Sequence, residues 1–208
     1  MASTTIYRSA TRPPRRDTRL ERAARSRSDG TSLALDDGRV LTLRPIRIDD
    51  ADALRRGFSR LTPEQVRLRT FHRQNELTAA AAERLVRIDP ETTSAWVAVD
   101  AEGEIRGEAR LHSDAVDESG EFGVTVDPSF TERGIGRALM QHLLDEAQRR
   151  GLRTIWGDVL ADNSAMLDFV KRIGAKREFV RDEPGVLRVT FPVAREEPPP
   201  VIPAKAGT

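Results

Sequence analysis

The sequence predicts an α/β fold of the α+β kind: a mixed, mostly antiparallel, twisted sheet of about six to seven strands flanked by helices. Three observations predict it. Short apolar runs bounded by turn residues recur from Leu33 to Val193, as strands do. Helix-like stretches break in twice, once between residues 49 and 88 and again after residues 134 and 163. Three of the runs, 95–99, 104–111 and 121–126, are joined by connections too short for a crossover, which makes them an antiparallel meander.

Taken in order, residues 33–35 and 40–44 flank Asp36-Asp37-Gly38 and read as a hairpin that Pro45 ends. Asp49 and Asp50 suit the first turn of a helix, whose apolar stripe is Ala51, Leu54 and Phe58. Thr62-Pro63-Glu64 opens a second helix holding Val66 and Leu68. Thr78 opens a third over 79–88, with Leu85 and Val86 inward and Asp89-Pro90 as its stop. The meander follows. A long amphipathic pattern then runs from 138 to 150, with Gly151 as a C-cap. Residues 154–160 read as a strand, and Trp96 and Trp156 fit core strands. Asp162-Asn163-Ser164 caps a helix over 165–173 that Gly174 terminates. Two last runs, 176–180 and 186–193, flank Glu183-Pro184-Gly185.

A chain of 208 residues has room for one ordinary domain, expected over 31–194. Before it stands a tail, 1–30, with eight arginines against three acidic residues and almost no large apolar side chain. That tail and the Pro-rich stretch 195–208 bury too little to order themselves and are expected to be disordered. The basic tail lacks the apolar segment of a secretory signal, and no run is long enough to span a membrane, so the expected location is cytoplasmic. The absence of Cys excludes disulfides, thiolate metal sites and Cys nucleophiles. His72, His112 and His142 lack metal-ligand spacing, so no metal is expected. A formal charge of +1 argues against generic affinity for nucleic acid.

The most informative stretch is Thr131-Glu132-Arg133-Gly134-Ile135-Gly136-Arg137-Ala138. It lies where a strand, broken at Asp127-Pro128, hands over to a helix. The first turn of a helix has backbone N–H groups with no intrahelical partner and carries partial positive charge. Gly134 and Gly136 let an anion approach that backbone, and Arg133 and Arg137, four apart, are expected to clamp it from one helix face. A diphosphate is the natural ligand. Gly-x-Gly alone also fits a plain helix start. The stretch is not a P-loop, because the Lys-Ser/Thr ending is missing, and not a dinucleotide fingerprint, because the third glycine position is Leu139.

The element order resembles that of the GNAT family of N-acetyltransferases, and Thr131 to Gly136 resembles that family's acetyl-CoA motif, Gln/Arg-x-x-Gly-x-Gly/Ala. The resemblance covers about residues 40–193. More narrowly, Leu43-Arg44-Pro45-Ile46, the stretch from Gly134 to Met140, and Gly157-Asp158-Val159-Leu160-Ala161-Asp162-Asn163-Ser164-Ala165-Met166-Leu167 resemble the acetyltransferase domain of bacterial Pat-type protein-lysine acetyltransferases. The resemblance implies acetyl-CoA as cosubstrate. It implies a primary amine as acceptor, a protein lysine first and a small-molecule amine second, and a monomer or homodimer. A non-catalytic acyl-CoA sensor is the alternative of a different class. Thr131, Arg133, Gly134, Ile135, Gly136, Arg137 and Ala138 would then form the diphosphate cradle, with Asn163 and the backbones of Val124 and Val126 on the pantetheine arm.

Two positions depart from the family. Thr131 stands where Gln or Arg is usual, with Arg133 or the Thr131 hydroxyl as compensation. Val170 stands where many members have a Tyr general acid, and the chain's single Tyr is Tyr7, in the tail. The chemistry needs a base, because an alkylammonium of pKa about 10.4 must lose a proton before it attacks a thioester. In the resembling subgroup the Glu at the position of Glu121 is that base. His112, on the neighbouring strand, is the next candidate, with an ordinary pKa better suited to the task. Asp158 and Asp162 fit strand-end and cap geometry instead.

Overall fold

The computed structural model describes residues 30–71, 76–113 and 118–193. The two expected tails, apart from Gly30 at one end, and His72 lie outside the described residues. The strands are β1 (Thr31–Ala34), β2 (Val40–Pro45), β3 (Thr93–Val99), β4 (Ile105–Ser113), β5 (Ser119–Val126), β6 (Thr154–Leu160), β7 (Lys176–Phe179) and β8 (Val186–Pro192). The helices are α1 (Ala51–Ser59), α2 (Pro63–Thr70), α3 (Ala79–Val86), α4 (Ile135–Arg149) and α5 (Ser164–Arg172), with 3-10 turns at Ile48–Asp50 and Pro128–Phe130.

All eight strands join one sheet in the order β1-β2-β3-β4-β5-β6-β8-β7, antiparallel throughout except between β5 and β6. Eight exceeds the six to seven expected, because the short edge strands β1 and β7 each hold four paired positions. The helix starts follow local chemistry. Thr62 accepts from Gln65 N–H at 3.2 Å while the Gln65 side chain takes Thr62 N–H at 2.9 Å, a complete capping box. Thr78 caps α3 through Ala81 N–H at 3.2 Å. That helix stops at Val86, two residues short of the expected end, because Arg87 turns out of helical geometry at ψ 67.

Two cores sandwich the sheet. Leu41, Leu43, Ala98, Ala109, Leu111 and Phe122 pack against Ile135, Leu139, Met140 and Leu143 of α4. Ala95, Val97, Val99 and Ile105 pack on the other face against Leu54, Ala82 and Val86 of α1 and α3. β3 is therefore apolar on both faces, which explains its unbroken apolar run. Trp96, on the α4 side, stacks on His142 with ring centroids 4.2 Å apart. Gly107 lets α4 sit close to the sheet: a Cβ there would lie 2.8 Å from Ile135 Cγ2. The helix that carries the cradle is thus docked by its own first turn.

Candidate active site

β5 and β6 pair over only three positions, Ser119 with Thr154, Gly120 with Ile155 and Glu121 with Trp156. Beyond Glu121 they part. β5 stays on β4 as far as Val126, and β6 stays on β8 as far as Leu160. The parting begins where Phe122 meets Gly157. A Cβ on Gly157 would lie 2.9 Å from the Phe122 carbonyl oxygen and 3.2 Å from its ring, so a bare backbone is needed there. The ring itself packs on Phe191 at 5.6 Å. The gap opens into a cleft of about 760 Å³, a size suited to a cofactor, walled by α2, the loop and first turn of α4, and α5.

One end of the cleft suits an anion. Gly134 caps α4 with φ 83, a left-handed conformation that glycine adopts freely. Ala138 is the first residue whose N–H finds a helical acceptor, Gly134 O at 3.0 Å. The N–H groups of Ile135, Gly136 and Arg137 have no acceptor inside the helix, and all three residues line the cleft. Phe169 of α5 lies against this turn, 3.4 Å from where a Gly136 Cβ would be. Left-handed backbone at two non-glycine lining residues, Phe71 and Glu132, each with φ 60, marks strain at the cleft wall.

Three of the residues expected at this end engage other partners. Arg133 precedes the helix, so it shares no helix face with Arg137. It turns instead to Asp37 in the β1–β2 turn and does not line the cleft. Asp37, hydrogen-bonded by Arg39 and further held by Arg133, has its carboxyl lowered to about 2. Ala138 gives its N–H to Gly134 O inside the helix and packs against the core. Thr131 does line the cleft, but its hydroxyl donates to Pro128 O at 3.1 Å, so neither it nor Arg133 is placed to supply the missing contact. Arg172, from the last turn of α5, lines the cleft along with Arg137.

The loop that presents this end is anchored by buried Asp127. Its carboxylate accepts from Arg60 Nε at 2.7 Å, Arg106 at 3.1 Å, and Ser129 N–H and Oγ at 3.0 and 2.6 Å. Arg39 and Arg106 also lie over Phe130, at 4.0 and 4.9 Å from its ring centroid. Burial opposes ionisation of Asp127, but the Ser129 hydrogen bonds and the two arginines outweigh it and hold the carboxyl below its ordinary value. A depressed carboxyl stabilises the fold above its unfolded pKa and loses that contribution as pH falls through its folded value. Asp127→Ala removes an acceptor that Arg60 and Arg106 share, while Arg60 keeps Glu104 and Ile105 O and Arg106 keeps Asp100, so the loss is expected to be about 1–3 kcal/mol. Thermal unfolding at pH 7 should show a midpoint lower by about 5 °C, and the difference from wild type should shrink below about pH 4.

The middle of the cleft is apolar, lined by Val124, Val126, Met166, Phe169 and Ile173. Asn163 lines it too, and its side-chain oxygen accepts from Met166 N–H at 3.1 Å, so it caps α5 as expected. Val170, at the family's Tyr position, is fully buried in the core. The far end holds Glu121, half-buried. Burial pushes its carboxyl up, Asp158 adds to that, and Arg69 and Arg188 oppose it. Cross-strand pairing puts Glu121 opposite His112 and Gly123 opposite Arg110, so Glu121 and Gly123 share the sheet face away from α4. His112 is exposed, outside the cleft lining, with Nδ1 3.1 Å from the Thr93 hydroxyl. Asp158 accepts both arms of Arg188 at 2.9 and 2.8 Å, and Arg188 lies 4.1 Å over Trp156. Asp162 pairs with Arg67 at 2.7 Å, tying the β6–α5 loop to α2.

Arg69, Phe169 and Arg172 belong to the cleft, yet the sequence does not single them out. Nearly every basic residue in the chain is arginine, so an arginine on a helix carries no signal by itself. Their place depends on how α2 and α5 dock.

Comparison with known proteins agrees with this geometry. The sequence model of the Acetyltransferase (GNAT) family matches residues 53–175. Acetyltransferase PA5475 of Pseudomonas aeruginosa is 33% identical over 144 residues, covering 68% of this chain and 77% of that protein. Acetyltransferase Pat of Mycolicibacterium smegmatis is 30% identical over 152 residues, covering 72% of this chain but 45% of Pat, so the likeness spans less than half of that relative. The crystal structure of the GNAT domain of S. lividans PAT superposes with a TM-score of 0.73 at 25% identity, covering 78% of this chain and 96% of that one. A cleft between parted strands, an unpaired helix start at one end and a half-buried carboxylate at the other fit the acetyl-CoA chemistry of that family. The chain belongs to the acetyltransferase (GNAT) family of acetyl-CoA-dependent N-acetyltransferases.

Proposed function

We propose that Glu121 is the general base of acetyl transfer from acetyl-CoA to a primary amine, and that the acceptor is a lysine side chain of a protein in the cytoplasm. The observation that carries the reading is the order of chemistry along one cleft. Unpaired N–H groups and Arg137 stand at one end, an apolar stretch in the middle, and a raised carboxylate at the other. The diphosphate, the pantetheine arm and the thioester of acetyl-CoA follow the same order. Ile135, Gly136 and Arg137 would hold the diphosphate through backbone N–H, with Arg137 and Arg172 adding charge. Asn163 and the backbones of Val124 and Val126 would hold the arm.

At the far end Glu121 accepts the proton of the attacking ammonium, directly or through one water. The amine nitrogen bonds to the thioester carbonyl, the C–S bond breaks, and the thiolate leaves and takes up a proton. The raised carboxyl suits this task better than an ordinary Glu would. The Pat-type likeness supports a lysine acceptor. The sheet face around Trp156 and Arg188, beside Glu121, gives it a place to arrive.

The test is turnover: purified protein, acetyl-CoA, and parallel panels of proteins and polyamines, with free thiol read out. Release with proteins and not polyamines is expected. Release only with polyamines makes the acceptor a small amine. No release with either, despite CoA binding, makes the protein a sensor. In calorimetry, CoA and acetyl-CoA should bind alike and ATP much more weakly, because ATP lacks the arm that fills the parted strands.

A further inference from the structure

The cleft contains a second charge whose place the transfer reaction has not yet used. Arg69, next to last in α2, lies directly on Gly123 of β5. A Cβ on Gly123 would fall 2.5 Å from its Nη1 and 2.9 Å from both Cζ and Nη2, so the guanidinium rests on bare backbone. Gly123 is two residues from Glu121 on the same face, a strand repeat of about 7 Å. Arg69 and Glu121 both line the cleft.

Most other charged groups around Glu121 have partners, although Arg110 Nη2, on the residue opposite Gly123, has none among the described residues. Asp158 on β6 is held by both arms of Arg188 from β8. Arg110 on β4 donates to Glu108 and to Leu85 O at 2.8 Å. His112 on β4 faces the Thr93 hydroxyl and stands outside the cleft lining. Among the described residues Arg69 has no ion pair or hydrogen bond, so its charge is not offset by a partner of its own. A nearby cation favours the ionised form of a half-buried carboxyl, and Arg69 acts in that direction on Glu121.

We propose that Arg69, seated on Gly123, is a positioning residue for the transfer: its guanidinium keeps the Glu121 carboxylate ionised and ready to take the acceptor's proton. The proposal rests on Glu121 being the base. It also gives Gly123 a role, since any side chain there would push the guanidinium away. It balances the charge at the reacting end, so that end does not simply attract the most cationic amine. That fits selection of a single lysine over a polyamine.

The test is the pH profile of kcat/KM for acetyl transfer, with melting temperature measured in parallel. Arg69→Gln should move the acid limb to higher pH, while Arg69→Lys, which keeps the charge, should restore most of it. Gly123→Ala should move the limb the same way with Arg69 still present. A limb that stays put in Arg69→Gln while the rate falls, or that shifts equally in Arg69→Lys, overturns the proposal and makes Arg69 a packing residue. Glu121→Gln separates the two readings. If it keeps the wild-type acid limb, the base assignment itself fails. If it loses the limb while Arg69→Gln leaves it unmoved, only the role of Arg69 fails.

Discussion

Glu121→Gln is expected to keep wild-type affinity for CoA and to lose about 10²–10⁴-fold in turnover, the usual cost of removing a general base. The amide preserves the shape of a side chain that sits beside Trp156 at the last paired position of β5 and β6. It removes only the proton acceptor. The residual rate should climb with pH, since the fraction of neutral amine rises toward its pKa of about 10.4. Isothermal titration with CoA and steady-state kinetics across pH check both halves. A carboxylate that is only a strand-edge neighbour would give near-normal turnover and a changed stability at most. His112→Gln is the control. It lies outside the cleft lining, with its ring on Thr93, and should change the rate little. A larger fall there than at Glu121 would move the base to the histidine.

Gly136→Glu is expected to weaken CoA binding by about two to three orders of magnitude. The new carboxylate would stand at the unpaired N–H groups, where the diphosphate needs the same positive field. Two like charges about 4 Å apart near a protein surface repel by about 4 kcal/mol, and each 1.4 kcal/mol is tenfold in Kd. Gly136→Ala tests bulk alone. Its Cβ would meet the Phe169 ring at 3.4 Å, which that ring can absorb with a small shift, so only a few-fold loss is expected. An acid in the first turn favours the helix itself, so the ligand-free melting temperature should not fall. Wild-type affinity in Gly136→Glu would remove the cradle from the binding site.

The elements that the sequence makes legible are those decided locally. Thr62, Thr78 and Asn163 cap helices with their own side chains, and Gly151 and Gly174 take the left-handed turns that end α4 and α5. The motif at Gly134 was legible for the same reason, since a helix start is a property of a few neighbouring residues. The cleft was not legible, because it depends on Phe122 meeting Gly157 across a gap of more than thirty residues. The turning of Arg133 away from Arg137 has the same origin. Spacing places Arg133 four before Arg137, but a glycine with φ 83 intervenes and turns Arg133 toward Asp37. Arg69 is a stronger case: only the docking of α2 brings it onto Gly123.

The parting of β5 from β6 bears on the folded state as well as on catalysis. After Glu121 the inner edge of β5 faces no strand, although it lies in the middle of the sheet. Unpaired backbone in such a place is a liability that proteins rarely leave uncovered. The amide-bearing arm of acetyl-CoA is an extended chain of suitable length and chemistry to serve as the missing rung. A ligand that binds only the folded state stabilises it by RT ln(1 + [L]/Kd), so the cellular CoA pool would act as part of the architecture. Without it, the join between the two halves of the sheet rests on the three paired positions from Ser119 to Glu121 and on the core that both halves share.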